Sequence, residues 1–289
     1  MRLPLGLLLA SVVSGLLSVA AALLVMPGGS LQYGLVMLLA LLGYVVVASR
    51  GMRRVRWAVI VGIGLLAVVA AMRLFWYQEQ VGDAGLLTYG RVGETAMLAR
   101  WREMIDRERL AAAGLLLGVL CLAAGVLALP ARGRRRGVAT SVLALLLLAW
   151  FGLSIARGFG RYPLLELLGA VGPALLGTLV AMGVLALSGW RADRRWLLPV
   201  GSFLLALAAA DAYSDLAAAW SGWWMISNPR DDAFLQVGVK VSTSAESFPQ
   251  VSRAVEAAMA LAGPGLVAVG VLHSSREADP GQAEARQRR

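Results

Sequence analysis

Eight apolar runs, each about as long as a helix needs to cross a bilayer, occupy most of the 289-residue chain and leave water no role as the main solvent. At a rise of ~1.5 Å per residue, roughly 20 apolar residues cover a hydrocarbon core of about 30 Å. The runs lie near Leu3–Met26, Leu31–Ala48, Trp57–Arg73, Leu110–Leu129, Val138–Ala156, Leu164–Ser188, Trp196–Leu216 and Ala254–Leu272, each bounded by charge, by Pro/Gly, or by both. In lipid a helix satisfies its own backbone, whereas barrel strands would alternate apolar and polar residues. These runs are apolar all round. The expected fold is therefore an all-α integral membrane protein, an eight-helix transmembrane bundle.

Charge supplies the orientation. A net charge of +10 in a soluble protein would suggest nucleic acid, but here its distribution has a plainer cause. Taking alternate connections as cytoplasmic gathers 16 of the 27 basic residues with four of the 17 acidic ones, so that side carries +12 and the other −2. The basic residues are Arg2, the clusters Arg50–Arg56, Arg132–Arg136 and Arg191–Arg195, and Arg276, Arg286, Arg288 and Arg289. This is the positive-inside bias, and it places both termini in the cytoplasm (N-in/C-in) with the chain multi-pass in the plasma membrane. The partners expected are the lipid bilayer and other membrane-protein subunits, not nucleic acid.

Arg2 and the run after it resemble a secretory signal, with Ser18-Val19-Ala20-Ala21-Ala22 as the stretch where cleavage would fall. The run exceeds the usual apolar core of about 7–15 residues, so an uncleaved first helix is expected. With one cysteine, Cys121, no intrachain disulfide can form. With one histidine, His273, neither a bis-His haem nor a His/Cys metal cage is expected, and no cofactor is implied.

The connections repeat. A short turn (Pro27-Gly28-Gly29-Ser30), an arginine-rich loop and a long external segment join helices 1 to 4, and the same order joins 5 to 8. Arg56-Trp57 matches Arg195-Trp196, Val61-Gly62 matches Val200-Gly201, and Leu65-Leu66-Ala67 matches Leu204-Leu205-Ala206. All share an offset of 139, and nine of the 16 positions from Arg56 to Ala71 are identical. Gly118-Val119-Leu120 meets Gly270-Val271-Leu272 at an offset of 152. The organisation expected is a 4+4 tandem repeat. Residues 1–130 form the first half with external segment 74–109, and 131–137 an arginine-rich linker. Residues 138–272 form the second half with external segment 217–253, and 273–289 a disordered cytoplasmic tail. Halves with an even number of helices enter the membrane in the same sense, related by a pseudo-two-fold axis along its normal.

The external segments carry their own signals. Met97, Leu98, Trp101, Met104 and Ile105 recur at helical spacing among charges, as in an amphipathic helix on the outer leaflet or continuous with helix 4. Trp220, Trp223 and Trp224 read as an interfacial belt, and Trp101, Trp223 and Trp224 are the candidate contacts for a partner or the membrane surface. Asn228-Pro229 resembles a helix start, and Thr243-Ser244-Ala245-Glu246 has capping-box spacing. Val237, Val239 and Val241 alternate between them as a strand would.

Charges within the membrane are the candidates for function, since each costs at least a few kcal/mol at mid-depth unless paired or hydrated. Asp211 stands roughly 22 Å along helix 7 from Trp196 and Asp215 roughly 28 Å, on one helical face; Arg73 is at a similar depth on helix 3. An Arg73–Asp211 ion pair across the pseudo-axis is expected. Glu166 joins them as a candidate for ion or substrate binding, and Arg157, Arg161, Arg253 and Glu256 lie near the same surface. Gly172-Pro173 and Gly263-Pro264-Gly265 interrupt helices 6 and 8, and packing kinks are the plainer account of both. Gly114-x-x-x-Gly118 allows close helix approach. No nucleotide loop, HExxH or GxSxG is present, and no catalytic residue is assigned.

Three readings follow. The first is an accessory or scaffold subunit whose external segments contact a partner. The second is a small-solute or ion transporter using Asp211, Asp215 and Arg73. The third is a membrane enzyme acting on lipid-linked substrates, for which Asp231-Asp232 and the outer charges speak. A water-filled, polar-lined cavity reaching the bilayer midplane would favour the second over the first, and a groove open to lipid with converging acids and arginines would favour the third.

Overall fold

The computed structural model describes residues 2–49, 53–87, 94–131, 134–159, 163–191, 196–227 and 249–277, and these are helical with no strand. The elements are α1 (Arg2–Leu23), α2 (Pro27–Ala48), α3 (Arg53–Leu87), α4 (Glu94–Leu127), α5 (Arg134–Phe159), α6 (Leu164–Arg191), α7 (Leu197–Ser227) and α8 (Pro249–Glu277). Among the described residues, eight helices are long and apolar enough to cross a membrane, as a multi-pass protein requires. Their outward faces carry Leu145, Leu146, Trp150 and Leu165 at 58–84% exposure. Water would not tolerate so continuous an apolar surface, and lipid does.

Each half-turn of chain has a local cause. Val25 adopts φ 57, and Met26 N–H donates to the Ala21 carbonyl at 2.9 Å while Val25 N–H donates to Ala22 at 3.1 Å. That is the paired bonding of a helix stopped by a left-handed residue, here without glycine. Pro27 then opens α2, where its missing N–H is harmless.

α3 and α4 are 35 and 34 residues long, well beyond what a span needs. The amphipathic stretch around Trp101 is thus not a separate surface helix but the first turns of α4, continuous with its span. The segment 74–109 is largely the overlapping ends of two long helices. They are clamped by Arg107, which meets Glu79 at 2.8 Å and Glu103 at 2.6 Å and lies over the Trp76 ring at 5.8 Å. α7 runs to Ser227 and α8 starts at Pro249. The Asn228-Pro229 start, Asp231-Asp232, the alternating valines and the Thr243–Glu246 box lie outside the described residues. α8 continues through His273 to Glu277, and residues 278–289 also lie outside the described ones.

The bundle is organised around α4 and α8. α4 packs against α3, α6, α7 and α8, and α8 against α7, α1, α2, α3 and α4; α1 pairs with α2 and α5 with α6. Small residues bring the central pairs together. A Cβ on Gly62 of α3 would lie 3.1 Å from the Gly118 carbonyl oxygen, and one on Gly118 would lie 3.0 Å from Leu66. On the other pair, a Cβ on Gly201 of α7 would lie 2.6 Å from the Leu266 Cβ, and one on Gly263 would lie 2.7 Å from the Leu205 nitrogen. The GxxxG of α4 is therefore used within the chain, facing α3.

These contacts also fix a register. Gly118 meets Leu66 and Gly125 meets Val59, while Gly263 meets Leu205 and Gly270 meets Leu198. Leu66 to Leu205 and Val59 to Leu198 are 139 apart, and Gly118 to Gly263 and Gly125 to Gly270 are 145 apart.

Candidate functional site

The end of the bundle where α1, α3, α5 and α7 finish, hereafter the distal end, holds a cavity of about 330 Å³. Its walls come from α1, α2, α3, α4, α7 and α8. Arg73, Asp211, Asp215, Arg253 and Glu256 stand toward its mouth, Ser18 and Ser30 on one side, and Leu38, Leu66, Leu205 and Pro264 deeper in. Three of the four candidates that the sequence offered for ion or substrate binding, Asp211, Asp215 and Arg73, thus share one cavity.

Their pairing differs from expectation. Arg73 forms its ion pair with Glu108 of α4 at 3.0 Å, not with Asp211. The cause is the length of α4. Starting the helix at Leu110 leaves Glu108 in a loop, whereas starting it at Glu94 brings Glu108 alongside the last apolar turn of α3. No hydrogen bond or ion pair to Asp211 occurs among the described residues, though Asp215, Glu256 and Arg73 all act on its charge at longer range. Ser18 Oγ donates to the Ser30 carbonyl at 2.7 Å, tying α1 to α2 beside the cavity.

Glu166 is not part of this site. It lies in the first turn of α6, where a helix N-terminus favours an acid, and accepts a hydrogen bond from Trp224 Nε1 at 3.2 Å. The tryptophans are engaged internally as well. Trp223 and Trp224 pack partly buried against the core, and a Cβ on Gly222 would lie 3.3 Å from the Trp101 ring.

The two interior prolines have different outcomes. A proline lacks the N–H that would bond the carbonyl four residues earlier. For Pro173 that carbonyl is Gly169, and Arg109 of α4 donates to it at 2.8 Å. For Pro264 it is Ala260, and both residues line the cavity. The first break is closed by a neighbouring helix, and the second lies beside the cavity. Sequence reasoning saw both breaks but had no means of telling which carbonyl a neighbour would take.

Among the described residues, no three His, Cys, Asp or Glu side chains converge as a metal ion would need. What the arrangement offers is a charged, acid-rich mouth over an apolar floor. Comparison of the chain with family models, with curated proteins and with solved structures finds no match in any of the three.

Proposed function

We propose that the protein is a small-solute transporter of the plasma membrane, N-in and C-in, whose distal cavity is its outward-facing binding site. One observation carries this reading: a single cavity runs from the charged distal end down to Leu38, Leu66 and Leu205. Leu66 stands roughly 15 Å along α3 from Arg56, which is half of a ~30 Å hydrocarbon core. A transporter needs such depth, and an accessory subunit does not. The acids Asp231-Asp232 that spoke for an enzyme lie outside the described residues.

The cavity lies between two four-helix units that we read as a tandem duplication in parallel orientation. Matched offsets of 139 in the first helix of each central pair and 145 in the second support this. On that register Glu108 corresponds to Arg253, and Arg73 to Ala212 beside Asp211. The basic and acidic roles are exchanged between the halves. Duplicated units meeting at a mid-membrane site can rock against each other and expose it alternately to the two sides.

The test is accessibility. In a Cys121→Ser background, an Ala208→Cys variant in oriented proteoliposomes is expected to react with a membrane-impermeant maleimide from the outer side, and with a second population from the inner side. Reaction from the outer side alone, under all solute conditions, would leave a receptor or accessory subunit. Absence of reaction from either side would eliminate the cavity as a binding site.

A further inference from the structure

Resting on the reading of two duplicated units, we propose that the α1–α2 hairpin is the gate of the cavity, and that it closes by setting α2 against α8 as α6 is already set against α4. The units meet through these two contacts, α6 on α4 and α2 on α8, which a two-fold axis would make alike. They can be compared residue by residue. Leu116 of α4 and Leu261 of α8 are 145 apart, as Gly118 and Gly263 are, and each faces a glycine of the other unit, Gly177 on α6 and Gly34 on α2.

The two contacts differ in depth. A Cβ on Gly177 would lie 3.7 Å from the Cα and Cβ of Leu116 and 3.9 Å from its nitrogen, so α6 rests on the main chain of α4. A Cβ on Gly34 would meet the two methyls of Leu261, at 3.5 and 3.8 Å, and Ser18 Oγ at 3.5 Å. α2 therefore stands off from α8 by a leucine side chain. α1 reaches α8 in part of its place, whereas α5 packs chiefly on α6. The cavity follows the looser contact, with Ser18, Leu31, Gly34 and Leu38 in its wall. At the α6 positions 143 residues beyond the last three, Ala174, Gly177 and Ala181 are buried, and none of them belongs to the cavity.

What holds α6 in place is missing from α2. Thr178 Oγ1 donates to the Ala209 carbonyl of α7 at 2.9 Å, and Arg109 of α4 donates to the Gly169 carbonyl at 2.8 Å. The residues in the corresponding positions are Leu35 on α2 and Ala254 on α8, and neither side chain carries a donor. Moving α6 breaks two bonds that moving α2 does not. The hairpin itself is a unit. Ser18 Oγ donates to the Ser30 carbonyl at 2.7 Å, and a Cβ on Gly43 would lie 3.6 Å from Leu7. A helix pair fastened to itself and lightly to its neighbours moves as a rigid body between two packings.

Spin-label pairs at corresponding exposed positions test the gate by double electron–electron resonance, on the full chain in lipid nanodiscs and a Cys121→Ser background. Tyr33→Cys with Val255→Cys reports α2 against α8, and Leu176→Cys with Leu110→Cys reports α6 against α4. The α6 pair is expected to give one narrow distance. The α2 pair is expected to give two components, one of them at that same distance. Leu35→Thr supplies the missing hydroxyl and should raise this component about fivefold over the other, as one net hydrogen bond does. Size-exclusion profiles establish folding, and Leu35→Ser takes the place of a threonine variant that does not fold.

A single distance from the α2 pair that the hydroxyl variant does not move overturns the gate. Two components from both pairs overturn it as well, since α6 would then be as free as α2. The transport reading fails separately. An unmoved α2 pair with Ala208→Cys alkylated from both sides leaves a transporter whose halves rock whole. A moving α2 pair with Ala208→Cys alkylated from neither side leaves the gate without a transported solute.

Discussion

The guanidinium of Arg109 on α4 donates to the carbonyl of Gly169 on α6 at 2.8 Å, and Gly169 lies four residues before Pro173. The proline removes the helical donor and the arginine replaces it, so the two residues are energetically linked although they lie on different helices. Arg109→Ala is expected to cost roughly 1–2 kcal/mol of stability, as for a lost hydrogen bond to a charged group. In a Pro173→Ala background, where Gly169 regains an N–H, the same change should cost less. Thermal unfolding of the four proteins closes the cycle, and equal costs in both backgrounds would refute the linkage.

Glycine substitutions should divide by what a new Cβ meets. At Gly201 it would lie 2.7 Å from the Val267 nitrogen and at Gly263 2.7 Å from the Leu205 nitrogen, both backbone atoms that cannot swing aside. Alanine at either position is expected to destabilise by about 1–3 kcal/mol. At Gly64 and Gly183 nothing lies within 4 Å, and alanine there should be neutral or stabilise by up to about 1 kcal/mol through helix propensity. Melting temperatures in one detergent measure all four.

Val25 holds a left-handed backbone at φ 57, which costs a β-branched residue roughly 1–2 kcal/mol. Val25→Gly should recover much of that and raise the melting temperature. A lowered one would mean that the turn after α1 is held by the valine side chain.

The Arg73–Glu108 pair is 42% and 39% exposed, so breaking it should change stability by no more than about 1 kcal/mol. Thermal unfolding of Glu108→Gln and Arg73→Gln checks this, and a loss well above that size in either variant would mean that lipid rather than water surrounds the pair.

Orientation is open to direct chemistry. Single cysteines replacing Gly51 or Ala131 should resist a membrane-impermeant maleimide applied to intact cells, while ones replacing Gly85 or Ser244 should react. The reverse pattern would invert the topology on which the outward-facing cavity depends.

The spans were legible because hydropathy over about 20 residues is set by the membrane alone. Asp211, Asp215 and Arg73 were legible for the same reason, as charges at apolar depth. Glu108 was not. The helical spacing from Met97 to Ile105 allowed a helix continuous with helix 4, but nothing in it told that Glu108 would face Arg73. Nor could the sequence separate the two prolines, whose fate depends on whether a guanidinium from another helix reaches the freed carbonyl, as Arg109 does at Gly169. The identity of Gly118-Val119-Leu120 with Gly270-Val271-Leu272 carries little weight, because Gly-Val-Leu recurs cheaply in an apolar chain.

The 35 residues of α3 measure roughly 52 Å at ~1.5 Å each, about 20 Å more than the hydrocarbon they cross. Arg107 locks this surplus to α4 through Glu79 and the Trp76 ring, making a stiff two-rod post beside the opening. Glu79 and its Arg107 partner thereby stand past the end of the hydrocarbon, so the projecting turns of the two helices are held as one unit without a charge entering lipid.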